Sequence, residues 1–418
     1  MENYSLPGGI KIHALRTGRF KHFSLGIYVI RPLCKQEASK NALLTQVLKS
    51  GCATFPSKQK IAAHLEWLYG ASMHAGVQKK GEAQILTFHF SGILDSYTED
   101  CKVSSELASF AKEILFSPLV VHDAFDEKIF GIEKADLRNE ILALQNDKRD
   151  YANQRCLEIM CSEEPFGIHE YGSVDELDKI TCQDLYNHYQ AIIHNSEIHI
   201  FIMGDLDVEP IVKLYEDVQA TGEMPKTLPG KMPEKVKNQM EAMEVAQGKL
   251  VLGLRSNLPD SPENFCAMQL FNSIYGSGTH SKLFNNVREK LSLAYYAYSR
   301  FVRQKNILLV ATGIEFQNFE QAKSEILLQL NEMKQGNISE KEMDAAKEFL
   351  KNGYLSCYDE PVMMEDYYLG QILAGYAQWS IDDMVAGIQN VTTQQVIQAA
   401  NSVELDTVYF ICGKDGNQ

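Results

Sequence analysis

Two residues in the run from Tyr275 to Tyr298 (YGSGTHSKLFNNVREKLSLAYYAY) could do chemistry together, Arg288 and Tyr295. An arginine presents a fork of N–H donors and a tyrosine a single O–H, so the two can grip a carbonyl oxygen and stabilise charge that develops on it. Each also has a plain structural reading. Arg288 could pair with an acid such as Glu289 or Asp260, and Tyr295 could join an aromatic cluster with Tyr296 and Tyr298. On one continuous helix, residues seven apart share a face. Here Leu291-Ser292 breaks the pattern, which predicts a helix over 281–289 carrying Arg288 and then a strand entered through Tyr295. Gly276 and Gly278 stand before that helix. They make no phosphate loop, because the third glycine and the Lys-Ser/Thr pair are missing. Their expected role is to let the Arg288 helix approach its neighbour closely.

Eleven histidines are present, and none falls in a metal-ligand pattern; H-x-x-E-H occurs nowhere. His64 is expected to pack beside Ile61 and Leu68, one helical turn away. His194 and His199 flank a turn into a strand, and His169 sits in a loop with Gly167 and Gly172.

The bulk numbers narrow the class. A chain of 418 residues is long enough for two domains, each with a well-buried core. A net charge of −15 argues against a nucleic-acid partner held by phosphate neutralisation. An acidic surface suits a cationic peptide, although such a balance is also ordinary for cytosolic proteins. Nine cysteines are scattered without a C-x-x-C pair, a distribution expected of reduced thiols and not of a disulfide framework. The N-terminus shows no secretory signal and the chain no apolar run long enough to span a bilayer. The expected setting is cytoplasmic, away from any membrane.

The elements that must hold Arg288 and Tyr295 belong to a repeated unit. Ile180-Thr181-Cys182-Gln183-Asp184-Leu185, a helix, and the apolar strand from Ile198 to Met203 end one half. Val391-Thr392-Thr393-Gln394-Gln395-Val396, a helix, and the strand from Thr407 to Cys412 end the other. Each helix opens with a threonine followed three residues later by Asp or Gln, a capping box. Self-similarity at half the chain length reads as internal duplication. Pro225, Pro229 and Pro233 with Gly222 and Gly230 mark a linker over 220–248, between lobes at 1–219 and 249–418. Strands and helices in uneven groups predict an α+β fold with a mostly antiparallel sheet in each lobe.

The order Gly276, Ser281, Leu283, Phe284, Val287, Arg288, Glu289, Lys290, Leu293, Ala294, Tyr295 resembles the second half of the insulinase, pitrilysin and mitochondrial-processing-peptidase superfamily, the inverted-zincin metallopeptidases. In that family the matching Arg and Tyr hold the backbone of a bound peptide opposite the zinc, so the resemblance implies a substrate-binding role for Arg288 and Tyr295. The stretch from Asn41 to Ser57 (NALLTQVLKSGCATFPS) looks like the family's metal-binding helix and following turn. Read back from Leu48-Lys49, the H-x-x-E-H positions hold Asn41, Ala42, Leu43, Leu44 and Thr45. Leu44 cannot take a proton from water, and Asn41 and Thr45 offer neutral oxygens that zinc disfavours. Glu133 and Glu140, seven apart with Leu137 between them, match in spacing a later glutamate pair whose second member is the third zinc ligand in the family. Read alone, they are two solvated acids among Lys134, Asp136 and Arg138.

The resemblance runs over the whole chain and implies two homologous, processing-peptidase-like lobes. Leu65 to Ala75, containing LYGAS, looks like a bacterial subgroup in which a motif-lacking chain accompanies an active sister. The implied function is a non-catalytic, peptide-binding subunit of a heterodimeric zinc metallopeptidase. This chain would hold no metal, the zinc being expected in a partner subunit that carries H-x-x-E-H, and the substrates would be short or unfolded peptides. Some relatives process precursors of peptide natural products. Two further readings are a non-enzymatic assembly subunit, like the core subunits of a respiratory complex that share this fold, and a homodimer that binds peptides without cutting them.

Overall fold

The computed structural model describes residues 1–99 and 102–413, and its strands form two large sheets of matching design. The first contains β1 (Glu2–Ser5), β2 (Lys11–Arg16), β3 (His22–Pro32), β4 (Ser72–Lys80), β5 (Ala83–Ile93) and, after a small ribbon of β6 (Val120–Val121) and β7 (Ala124–Phe125), β8 (Glu197–Gly204). Its order is β1-β2-β8-β3-β5-β4, antiparallel except for β2 beside β8. The second contains β9 (Lys237–Met243), β10 (Gly248–Ser256), β11 (Ala294–Val302), β12 (Ile307–Ile314) and β13 (Val403–Gly413). Its order is β11-β12-β10-β13-β9, with β9 and β13 the parallel pair. Setting β2, β8, β3, β5, β4 against β9, β13, β10, β12, β11 makes the two orders coincide, parallel neighbour included. The fold is α+β and duplicated, as the two chain endings predict. Both endings form reciprocal capping boxes: Thr181 Oγ1 accepts from Asp184 N at 3.1 Å, and Thr392 Oγ1 from Gln395 N at 3.4 Å.

Alternation decides which face of each sheet is covered by helices. On β3, Phe23, Leu25, Ile27 and Val29 point to one side and meet Leu43, Leu44 and Val47 of the helix Lys35–Leu48 and Leu107 and Ile114 of Val103–Phe116. In the second sheet Leu250, Leu252 and Leu254 do the same against Phe271 and Ile274 of Pro262–Tyr275 and Ile326 of Phe319–Lys334. Each such side chain contributes about 1.5–3 kcal/mol by leaving water. A slip of one residue would turn the whole set outward, so the core fixes the register.

The sequence boundaries need correction in three places. One compact unit comprises Met1–Leu142, Ile168–Lys226 and Asp359–Asp366; the other comprises Ala143–Gly167, Thr227–Tyr358 and Tyr367–Gln418. The helix Lys148–Met160, encoded in the first half, therefore belongs to the second unit. Its Ala152, Cys156, Leu157 and Met160 cover the outer face of the second sheet at Val251, Leu309, Ala311 and Tyr409. Conversely, Glu365 lies on the first sheet. Ser24 Oγ and Tyr28 OH donate to its carboxylate, Tyr28 at 2.7 Å, and His89 Nδ1 lies 3.2 Å away. Gly26 makes room for it, since a Cβ there would stand 2.1 Å from Glu365 Oε2. Finally, β9 falls within the stretch expected to be linker. Its residues are mostly exposed, so it lacks the apolar alternation that announces a strand and is held by backbone pairing to β13.

Candidate functional site

Around Arg288 the backbone departs from regular geometry three times in a short run. The helix Leu283–Lys290 is wound as a π-helix, and its last turn closes with Leu291 N donating to Asn286 O at 3.1 Å, an i→i−5 bond. Leu283 and Val287 anchor it in the core while the Arg288 side chain stays 43% exposed. Ser292 then takes φ +51°, a left-handed conformation uncommon for a residue with a Cβ. Lastly, β11 bulges at its start: Ala294 pairs with Ile314 and Tyr296 with Gly313, leaving Tyr295 as the extra residue. A bulge re-aims a side chain, and Tyr295 is 51% exposed on the edge strand of its sheet. π-turns, bulges and left-handed non-glycine residues cost local stability and gather at functional sites.

Both side chains already have partners. Arg288 Nε lies 3.4 Å from Glu289 Oε1, and its guanidinium sits 4.8 Å from the centroid of the Phe284 ring. Of the two acids expected beside it, Glu289 is the one found; Asp260 instead takes Arg303 at 3.1 Å. The Tyr295 hydroxyl donates to Glu315, and this bond is the main reason its phenol is raised above the usual value. Tyr296 points the other way, with Lys249 Nζ 5.6 Å from its ring centroid. The aromatic cluster thus continues through Tyr296 and Tyr298, whose rings are 6.0 Å apart, and Tyr295 stands outside it. Gly276 permits the close approach expected of it, for a Cβ there would come within 2.4 Å of Ser299 Oγ and 2.8 Å of Leu283.

In the first unit the helix Lys35–Leu48 presents Asn41, Leu44 and Thr45, all buried. Gln84 Nε2 donates to the carbonyls of Ala38, at 3.0 Å, and Glu170, at 2.6 Å. That orientation makes Gln84 Oε1 the acceptor for Asn41 Nδ2 at 2.8 Å. Asn41 Oδ1 then faces His188 Nε2 at 2.7 Å, and because an amide oxygen can only accept, His188 must be the donor. Thr45 Oγ1 donates to Ala42 O at 2.8 Å, and Leu44 belongs to the apolar core. These residues do not fit zinc: the amide is engaged by neighbours through both its nitrogen and its oxygen, the hydroxyl is turned into its own helix, and the third position is hydrocarbon. Among the described residues no group of three or more His, Cys, Asp or Glu is placed to hold a metal.

Glu133 and Glu140 part company on the helix Glu127–Ala143. Glu133 is 3% exposed, accepting from Ser50 Oγ at 3.0 Å and paired with Lys58 Nζ at 2.6 Å. Glu140 is exposed. The picture of two solvated acids therefore holds for one of them only. His64 packs as expected, its ring 4.4 Å from that of Phe55. His199 bonds to His13 at 2.8 Å and to Glu197 at 2.9 Å, well apart in role from His194, which bonds to Gln219 O.

His188 gives this polar knot a pH signature. Burial lowers its imidazole to about 4, below the ordinary value near 6.5. The unfolded chain then binds a proton that the native ring refuses, so stability is full above about pH 6.5 and falls as the pH drops towards about 4. The expected loss is on the order of 2 kcal/mol, less than the whole shift implies because the ring is partly exposed. Urea midpoints compared at neutral and acid pH should show a shallower decline in His188→Gln; an identical decline would remove His188 as the source.

The class is set by a duplicated α+β scaffold with no H-x-x-E-H in its sequence and no metal-ligating group of three among the described residues. The family model described as Peptidase M16 inactive domain matches residues 179–350, a range that includes Arg288 and Tyr295. A probable inactive metalloprotease, YmfF of Bacillus subtilis (strain 168), is 36% identical over 419 residues, spanning 99% of this chain and 98% of its own. A solved structure of a conserved protein from Enterococcus faecalis V583 superposes with a TM-score of 0.91 at 28% identity, covering 99% of this chain and 98% of that one. A peptidase M16 inactive domain from Pseudomonas fluorescens shares the fold at a TM-score of 0.79 and 17% identity, over 100% of this chain and 99% of that one. The chain belongs to the M16 peptidase family, the insulinase superfamily, and is one of its members without the H-x-x-E-H motif. No helix among the described residues is long and apolar enough to cross a membrane.

Proposed function

We propose that this chain is the non-catalytic, peptide-binding subunit of a heterodimeric zinc metallopeptidase, lending Arg288 and Tyr295 to a sister subunit that carries H-x-x-E-H. The observation behind this reading is the cluster of backbone irregularities that exposes both side chains. A π-wound helix, a left-handed Ser292 and a bulge at Tyr295 are hard to account for as packing, since regular elements would bury the same apolar residues. The asymmetry between the lobes points the same way: one keeps the scaffold of a metal helix without its ligands, the other keeps the donors. The zinc and its water would come from the sister. Arg288 would hold the peptide backbone and Tyr295 would donate to the carbonyl oxygen as negative charge grows on it.

The test is peptidase activity and zinc content of the chain alone and after mixing with an H-x-x-E-H-bearing sister from the same source. Neither alone, with turnover on mixing, is the expected result. Zinc and turnover in the isolated chain would overturn the assignment, and silence in both samples would move it towards an assembly role.

A further inference from the structure

Glu315 follows directly on β12, opposite the bulge of β11, and its carboxylate accepts the hydroxyl of Tyr295. Both residues are exposed. Glu315 is also the one charged group that raises the Tyr295 phenol. A tyrosine has a single O–H to give. A peptide carbonyl gripped by Tyr295 must therefore take the hydrogen bond that Glu315 now accepts, and a neutral carbonyl is the weaker acceptor of the two. A peptide with a cation beside that carbonyl resolves the conflict, because its ammonium or guanidinium gives the released carboxylate a new partner. A neutral peptide leaves the carboxylate to water.

We infer that Glu315 is a specificity-determining residue, biasing the Arg288/Tyr295 site towards peptides that carry an ammonium or guanidinium next to the carbonyl held by Tyr295. The inference rests on the peptide-binding reading above. The net charge of −15 would draw cationic peptides to the surface in general, but only Glu315 ties that preference to the tyrosine.

The experiment compares two fluorescently labelled, unstructured peptides, identical except for lysine or norleucine at one position, with the lysine moved stepwise along the sequence. Anisotropy with the full chain should show roughly a twofold to fivefold preference for lysine at one position, the size expected of an exposed charge pair. Glu315→Gln should remove that preference. A wild-type chain without it, or a Glu315→Gln chain that keeps it, overturns the inference. If Tyr295→Phe still weakens both peptides, the peptide-binding reading survives that failure. Peptides that fail to bind the wild type, or that bind Tyr295→Phe as tightly, overturn both. Independently of any peptide, NMR of chain carrying ¹³Cζ-labelled tyrosine, with the Tyr295 resonance identified by its loss in Tyr295→Phe, should titrate at lower pH in Glu315→Gln. An unchanged midpoint would mean that the contact does not form in solution and would end the proposal.

Discussion

Arg288→Ala and Tyr295→Phe are each expected to lower kcat/KM of the assembled heterodimer by about 10²–10³-fold, the loss that follows removal of one donor to a developing oxyanion. Tyr295→Phe deletes a single exposed hydroxyl, so neither folding nor assembly should suffer. Arg288→Ala gives up a half-exposed contact with Glu289 and Phe284; exposed pairs of this kind contribute at most about 1 kcal/mol. The effects should therefore appear in turnover with unchanged elution of the complex on size exclusion. The two variants should also differ in kind. Arg288 would bind the backbone before and during the reaction, so its loss should raise KM as well, whereas the Tyr295 bond strengthens as charge develops and its loss should fall mainly on kcat. Full activity in both variants would sink the substrate-binding assignment.

How far the sequence disclosed this site depends on how local each feature is. The stop at Leu291-Ser292 was legible because two residues of the wrong type interrupt a helical pattern, and Ser292 is indeed the turn between helix and strand. The strong apolar strands were legible too, since short runs of apolar residues, buried on both faces, write β3 and β10 into the chain. The π-winding of Leu283–Lys290 was not, because it shifts hydrogen bonds by one residue without changing the residue types. The bulge at Tyr295 has a trace only in hindsight, in Gly313 on the facing strand, where a Cβ would strike the Tyr296 ring at 2.5 Å. Gln84 and His188, which occupy the polar positions around Asn41, lie 43 and 147 residues away from it. Nothing in a linear pattern connects them. The helix Lys148–Met160 failed to declare its destination on similar grounds: its apolar residues announce a buried face but not which sheet covers it.

That helix supplies the second large effect. The segment Ala143–Gly167 is fastened to the second unit by four charged groups, with Arg255 3% exposed and Lys305 2% exposed. Arg255 Nε donates to Asp406 at 2.7 Å, its other arm reaches Glu164 at 2.6 Å, and Lys305 Nζ lies 2.8 Å from the second oxygen of Glu164. Glu164 thus answers both buried cations with its two oxygens. Glu164→Ala would take the shared carboxylate from both buried cations, leaving Arg255 with Asp406, the Cys161 sulfur and the Met160 carbonyl and Lys305 with the Leu228 carbonyl among its neighbours. Removing one member of a buried ion network costs about 3–5 kcal/mol, since the partners keep their desolvation and lose their attraction. Glu164→Gln should cost less, because it keeps an acceptor for one cation while giving up the charge. Hydrogen exchange should show the change first in the amides of Lys148–Met160, the helix that Glu164 follows, and the urea midpoint should fall with it. Protection of that helix equal to wild type in Glu164→Ala would show that the apolar face of Ala152, Cys156, Leu157 and Met160 holds the segment unaided. The charges would then serve to choose which sheet it joins and not to keep it there.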